Sequence, residues 1–134
     1  MAETRTPRKV IGAKEDRGYV ERVAVRIVLH NEANEVVIVW AEKGNYFKLP
    51  GGGVEDSEHH LLAVEREAME ETGCKVRVRK DCIAVSEEWR NELHQLSYCY
   101  EARLVENTGA VQLTEDEIAD GLKHQWCSYK EAME

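Results

Sequence analysis

Three glutamates carry the chemistry that can be read first. Glu67, Glu70 and Glu71 stand at spacing i, i+3, i+4, which on a helix places them on one arc of about 100°. Exposed like charges at that spacing repel by roughly 0.2–0.5 kcal/mol per pair. A divalent cation turns the repulsion into attraction, and carboxylate oxygens are the ligands that hard ions such as Mg²⁺ prefer. Ala63 lies on the same arc and leaves room beside them. Ahead of the glutamates runs Gly51-Gly52-Gly53, a backbone with no Cβ to obstruct a metal or phosphate. Taken alone, the three glutamates read first as a solvated acidic helix face.

The element that must position them is a helix between the glycine run and Gly73-Cys74. Asp56 or Ser57 is the expected N-cap, its side-chain oxygen accepting an orphan backbone N–H. Gly73 is the expected C-terminal stop, since a left-handed residue there costs glycine almost nothing. Leu61, Leu62, Ala68 and Met69 form the arc expected to pack on a core. Glu65 falls inside that arc without an evident reason.

Counted from Gly52, the chain has Glu58, then Arg66-Glu67, Glu70-Glu71 and Gly73. This resembles the Nudix box, Gly-x5-Glu-x7-Arg-Glu-U-x-Glu-Glu-x-Gly-U, with U a bulky aliphatic. All seven fixed positions match, which average residue usage produces on the order of once in a million chains of this length. Ala68 and Cys74 depart from the pattern at the U positions, a matter of packing rather than chemistry. The resemblance implies an α/β Nudix fold, an α/β/α sandwich with a mixed β-sheet between helices. It implies metal-dependent hydrolysis of a phosphoanhydride in a nucleoside diphosphate linked to another moiety, with Mg²⁺ or Mn²⁺ as cofactor. Glu67, Glu70 and Glu71 would ligate the metal, joined by a backbone carbonyl of Gly51 or Gly52. Arg66 would orient Glu67 and pair with Glu58. The general base would be Glu67 or Glu70, or a loop acid among Glu115, Asp116 and Glu117, with Glu87 and Glu88 as further candidates. Thr114 to Glu117 also reads as a helix capping box. The alternative function is a catalytically silent Nudix-fold module that senses a nucleotide, although such modules often lose box glutamates that this chain keeps.

Lys48 adjoins the box and is the first candidate for a phosphate contact, followed by Arg22, Arg26 and Arg90. Trp89, Tyr46 and Phe47 are candidate platforms for a base, since any nucleobase has a face to stack; core packing is the competing role for each. His59 and His60 point to different faces and read as surface residues of the helix's first turn, close to a phosphate; His94 and His124 sit in strand patterns and read as structural. Substrate markers of the family beyond the box are absent: that region is Trp89, Arg90 and Asn91. Nucleoside triphosphates, oxidised nucleotides and ADP-ribose-like compounds therefore stand together as substrate classes.

The rest of the chain fits one domain. Its 134 residues are 43% hydrophobic and 33% charged, ordinary for a globular protein. A net charge of −8 without a basic stripe argues against long nucleic acid. No apolar run approaches the roughly 20 residues needed to span a bilayer, so the expected location is the cytoplasm, away from membranes. The four cysteines show no CxxC and read as reduced core residues. Residues 1–20 read as an N-terminal segment, partly disordered, with Val10-Ile11 as an edge strand; 21–134 read as the Nudix domain. Alternation places Val23, Val25 and Ile27 on one face of a strand from Glu21, and Val36–Trp40 reads as a deeper strand. Strands follow at 75–79, 83–89, 92–105 and 122–127, with a closing helix from Ser128. Many members of the family dimerise, so the resemblance also implies a homodimer as one assembly.

Overall fold

The structure, a computed structural model, describes residues 6–132. Strands β1 (Arg8–Ile11), β2 (Val20–His30), β3 (Val36–Ala41), β4 (Tyr46–Lys48) and β5 (Gly51–Gly53) precede helix α1 (His60–Thr72). Then follow β6 (Cys74–Arg90), β7 (Leu93–Asn107), α2 (Glu115–Ala119), β8 (Leu122–Cys127) and α3 (Tyr129–Ala132). The strands run in the order β1-β6-β7-β2-β3-β4, with β5 also on β2 and β8 also on β3. The β1–β6 and β2–β7 pairs are parallel and the others antiparallel, so the sheet is mixed.

The sheet splays where the site needs space. β2 and β3 meet only at His30 and Val36. The freed edge of β2 pairs instead with the glycines, Ala24 to Gly53 and Arg26 to Gly51. This gap seats the glycine run between β2 and α1.

Packing follows the strand pattern. Val25, Ile27 and Leu29 of β2 face Ala63, Val64 and Ala68 of α1, with Val37, Cys74, Tyr100 and Ala102 completing the core. Val23 points the same way but stays exposed, as do Val20, Glu21 and Arg22 at the outer end of β2. β3 is buried at Val36, Val37, Val39 and Ala41, in keeping with its apolar run. The face bearing Arg26 also carries His30, whose Nδ1 lies 2.7 Å from the Tyr129 hydroxyl. Thus α1 and α3 lie on opposite faces. Among the described residues, no helix is long and apolar enough to cross a membrane.

Several local expectations need correction. The N-cap of α1 is His59, whose Nδ1 accepts from Leu61 N–H at 3.2 Å, rather than Asp56 or Ser57. Asp56 and Ser57 are spent on a turn, Ser57 at φ 61°, which turns Glu58 toward Arg66. Gly73 ends the helix at φ 71°, as its position suggests. The buried arc of α1 is Ala63, Val64, Glu67, Ala68, Glu71 and Thr72, while Leu62 is 58% exposed. That arc is rotated from the one that apolar residues mark, because two carboxylates face the helix–sheet seam. Glu65 is exposed, which removes its anomaly. The two strands expected at 75–79 and 83–89 are one, β6, with register shifts between Lys75 and Ala84.

The N-terminal segment forms an edge strand from Arg8, and the expectation of disorder falls partly on residues 1–5, outside those described. Arg8 donates to Glu87 at 3.0 Å, Glu87 meets His94 Nε2 at 2.7 Å, and His94 Nδ1 also contacts Glu21. His94 stacks on Trp89 with ring centroids 3.7 Å apart. This relay ties β1 to β2, β6 and β7.

Candidate active site

Arg66 is the organising group of the box. Its Nε and Nη2 donate to Glu58 at 2.8 and 2.9 Å, a bidentate fork, and Nη2 also donates to the Gly53 carbonyl at 2.9 Å. Nη1 donates to Glu67 at 2.9 Å and to Glu70 at 3.3 Å. One guanidinium therefore fixes the loop, the start of the helix and two of the three carboxylates. Fork pairing of this kind is strong and directional. It holds the Glu58 carboxyl down to about 2 and raises the Arg66 guanidinium above its usual value.

The glycines bring backbone against carboxylate. A Cβ on Gly52 would lie 2.5 Å from Glu67 Oε1. Gly51, at φ 149°, would drive a Cβ to 2.0 Å from the Val25 carbonyl oxygen. Its N–H donates to Glu71 Oε2 at 3.3 Å, while Glu71 Oε1 is buried with no partner among the described residues. Glu67 is 6% exposed and Glu71 2%. Burial raises both carboxyls, that of Glu71 to about 8, with Lys48 opposing the shift and Glu117 and Glu67 adding to it. For Glu67 the Arg66 charge opposes, and Glu70 and Glu117 add.

A cleft of about 380 Å³ opens over this seam. Its lining joins the carboxylates of Glu55, Glu67, Glu70 and Glu117 with the cations of Arg22, Arg26, Lys48 and Arg66. Glu117 reaches it through α2, where Thr114 and Glu117 form a reciprocal capping box at 2.9 and 3.2 Å. The preceding loop is stitched to the end of α1, Gln112 N–H donating to the Glu70 carbonyl at 2.7 Å. Capping and proximity to the cleft are thus two roles of the same residue. Burial lowers the Arg26 guanidinium, and its Nη1 has no partner among the described residues. Arg22 donates to Gln95 at 2.6 Å.

A match to the family model described as the NUDIX domain covers residues 20–134. The chain belongs to the Nudix family. Members of this family hydrolyse pyrophosphate bonds and in general use divalent metal ions. Solved Nudix structures share the fold. The MutT protein from Methanosarcina mazei Go1 aligns with a TM-score of 0.66 and 17% identity, over 90% of this chain and 84% of its own. A NUDIX hydrolase from Nitrosomonas europaea gives 0.69 and 19%, over 85% and 76%. The C. elegans Ap4A hydrolase gives 0.62 and 21%, over 85% of each chain.

Nudix chemistry calls for a hard cation, and the residues present fit one. The unpartnered Glu71 oxygen, the Glu67 carboxylate set against a backbone without a Cβ, and Glu70 on the same helix face form an all-oxygen donor set. Among the described residues no three acidic or His/Cys side chains already converge on one point. Arg66 holds Glu67 and Glu70 while Glu71 turns to Gly51, so their mutual repulsion is met by hydrogen bonds.

The other candidates are distributed as follows. Lys48 lines the cleft together with Arg22 and Arg26; Arg90 lies at the β6–β7 hairpin. Trp89 is stacked on His94 and meets Tyr19 edge-on at 4.9 Å, and Phe47 packs on Trp40 at 4.6 Å. Neither these nor Tyr46, which is exposed, lines the cleft. Thr114 and Glu55 do line it. The sequence signal for Thr114 was its capping box; Glu55 had none.

Proposed function

We propose that this protein is a metal-dependent Nudix hydrolase acting on a phosphoanhydride of a nucleoside diphosphate derivative: a nucleoside triphosphate, an oxidised nucleotide or an ADP-ribose-like compound. The observation that carries this reading is a cleft whose lining joins Glu67, Glu70 and Glu117 with Arg22, Arg26 and Lys48. A diphosphate meets the basic groups directly and the carboxylates only through cations. Glu67, Glu70 and Glu71, with the Gly51 or Gly52 carbonyl, would hold Mg²⁺ or Mn²⁺. The bound cation supplies charge neutralisation on the non-bridging oxygens and a water of lowered pKa.

The chain's own groups do the rest. Arg22, Arg26 and Lys48 orient the phosphates and balance charge as the bond breaks. Glu117 keeps one carboxylate oxygen on its cap, Oε1 accepting from Thr114 N–H. Its other oxygen is free to take the proton of the attacking water; Glu67 and Glu70 are the box alternatives for that step. Arg66 prevents the box carboxylates from turning away, acting as a positioning residue.

Turnover of a nucleotide panel with and without Mg²⁺ or Mn²⁺ tests the reading, the panel including ADP-ribose and normal and oxidised triphosphates. Metal-dependent turnover is expected, with Glu70→Gln at least about 100-fold slower at unchanged unfolding midpoint, because several kcal/mol of charge stabilisation goes with the ion. Full activity in that variant would overturn the metal assignment. Binding without turnover would leave a nucleotide sensor.

A further inference from the structure

Gln95 is a buried amide in the course of β7, 5% exposed, and Ser97 two residues on is buried with it. The parallel register sets Arg22 of β2 beside Gln95 and Ala24 beside Ser97. Alternation then puts Arg22, Gln95 and Ser97 on the sheet face that carries Arg26. Arg22 Nη1 donates to Gln95 Oε1 at 2.6 Å, and Gln95 Nε2 donates to Ser97 Oγ at 3.1 Å. A guanidinium only donates, so the carbonyl end of the amide must face it and the NH2 end must face the serine. Arg22 also lies against Gly53, where a Cβ would stand 3.1 Å from Nη2 and 3.3 Å from Nε. It therefore reaches the cleft over bare backbone, held by an amide fixed in the neighbouring strand.

The partner is neutral in a chain with 26 acidic residues, although a carboxylate makes the stronger bond to arginine. Glu88 of β6 follows Gln95 in the same row, but its carboxylate turns to Arg90 at 3.3 Å. Glu58, Glu67 and Glu70 are taken by Arg66. Among the described residues Arg22 has no ion pair, and its side chain makes only the bond to Gln95. Its charge reaches its neighbour: burial lowers the Arg26 guanidinium, Glu71 opposes this, and Arg22 adds to it. A neutral acceptor fixes the direction of the guanidinium and leaves the positive charge to be met by an anion in the cleft.

We propose that Gln95 is a positioning residue, which aims the Arg22 guanidinium into the cleft and leaves its charge free for a phosphate group of the substrate. This rests on the hydrolase reading for the identity of that anion. Ordering a long side chain before the ligand arrives removes that cost from binding. A carboxylate in place of the amide would compete with the phosphate for the same cation.

The test combines two replacements at Gln95 with Arg22→Ala in the full chain. Gln95→Leu removes the acceptor; Gln95→Glu keeps the shape and the hydrogen bond but neutralises Arg22. Each is expected to lower kcat/KM with Mg²⁺ about tenfold, the low end for one hydrogen bond to a charged group. In the Arg22→Ala background neither is expected to lower it further, because Gln95 then has nothing to aim. A packing role would cost the same in both backgrounds. Unfolding midpoints read folding separately, and Gln95→Glu carries the comparison if Gln95→Leu does not fold. Calorimetric binding of inorganic pyrophosphate with Mg²⁺ repeats the cycle without catalysis. Equal losses with and without Arg22, or Gln95 variants that bind and turn over as the natural protein does, would overturn the proposal. So would a natural protein that binds no pyrophosphate and turns over no nucleotide. Pyrophosphate binding that depends on Gln95 only when Arg22 is present, without turnover of any nucleotide, would sustain the positioning role and place the failure with the hydrolase reading.

Discussion

At the residue scale, the decisive group is Arg66, because five of its contacts tie Glu58, Glu67, Glu70 and the Gly53 carbonyl into one arrangement. The Glu58 carboxyl is lowered from 4.5 to about 2, mainly by its hydrogen bonds to Arg66. A carboxyl lowered on folding contributes stability that is present above its unfolded value and lost as pH falls through the folded one. Denaturant titrations from neutral pH to about 2 should show this. Glu58→Gln should lose about 1.5–3 kcal/mol at neutral pH, the range for hydrogen bonds to a charged group. The gap to the natural protein should then close as pH falls from 4.5 toward 2. A gap independent of pH would mean that Glu58 acts by packing rather than by charge.

At the scale of elements, β5 is the short strand on which helix and sheet are assembled. Gly51 and Gly52 do different work in it. A methyl at Gly51 meets the Val25 backbone and a φ of 149°, neither of which can yield. Gly51→Ala should therefore lower stability by about 1–3 kcal/mol or more. At Gly52 the methyl meets only the flexible end of Glu67. Gly52→Ala should keep nearly the natural unfolding midpoint while losing metal-dependent activity, because Glu67 is pushed from its place. Equal stability losses in the two variants would refute this division of roles.

At the scale of the whole molecule, the site is held together against its own charge. Glu71 is raised to about 8, chiefly by burial, so the metal-free protein folds with it protonated at neutral pH. A group raised on folding contributes stability below its unfolded value, 4.5, that is lost as pH climbs through about 8. A cation that binds the ionised carboxylate removes that penalty, and ligand binding to the folded state adds stability by mass action. The rise in Tm produced by Mg²⁺ or Mn²⁺ should therefore grow between about pH 6 and 9. In Glu71→Gln the metal-free protein should lose less stability across that range, and the metal-induced rise should shrink. A metal effect that is flat with pH, and equal in the variant, would remove Glu71 from the site.

The sequence by itself determined the box, because the seven fixed positions lie within one helix, its C-terminal glycine and the short strand and loop before it, where spacing translates directly into geometry. It also determined the Gly73 stop and the buried run of β3, which depend on local conformation and composition. It did not reveal which face of α1 is buried. Periodicity counts glutamates as outward-facing, while Glu67 and Glu71 turn into a seam that exists only once β5 is seated. Nor could spacing show that Arg22, Arg26 and Lys48 would line one cleft while Arg90 went to the far hairpin. Glu117 in the cleft likewise required contacts between distant segments. Local pattern fixes which residues can do chemistry; long-range strand pairing decides which of them meet.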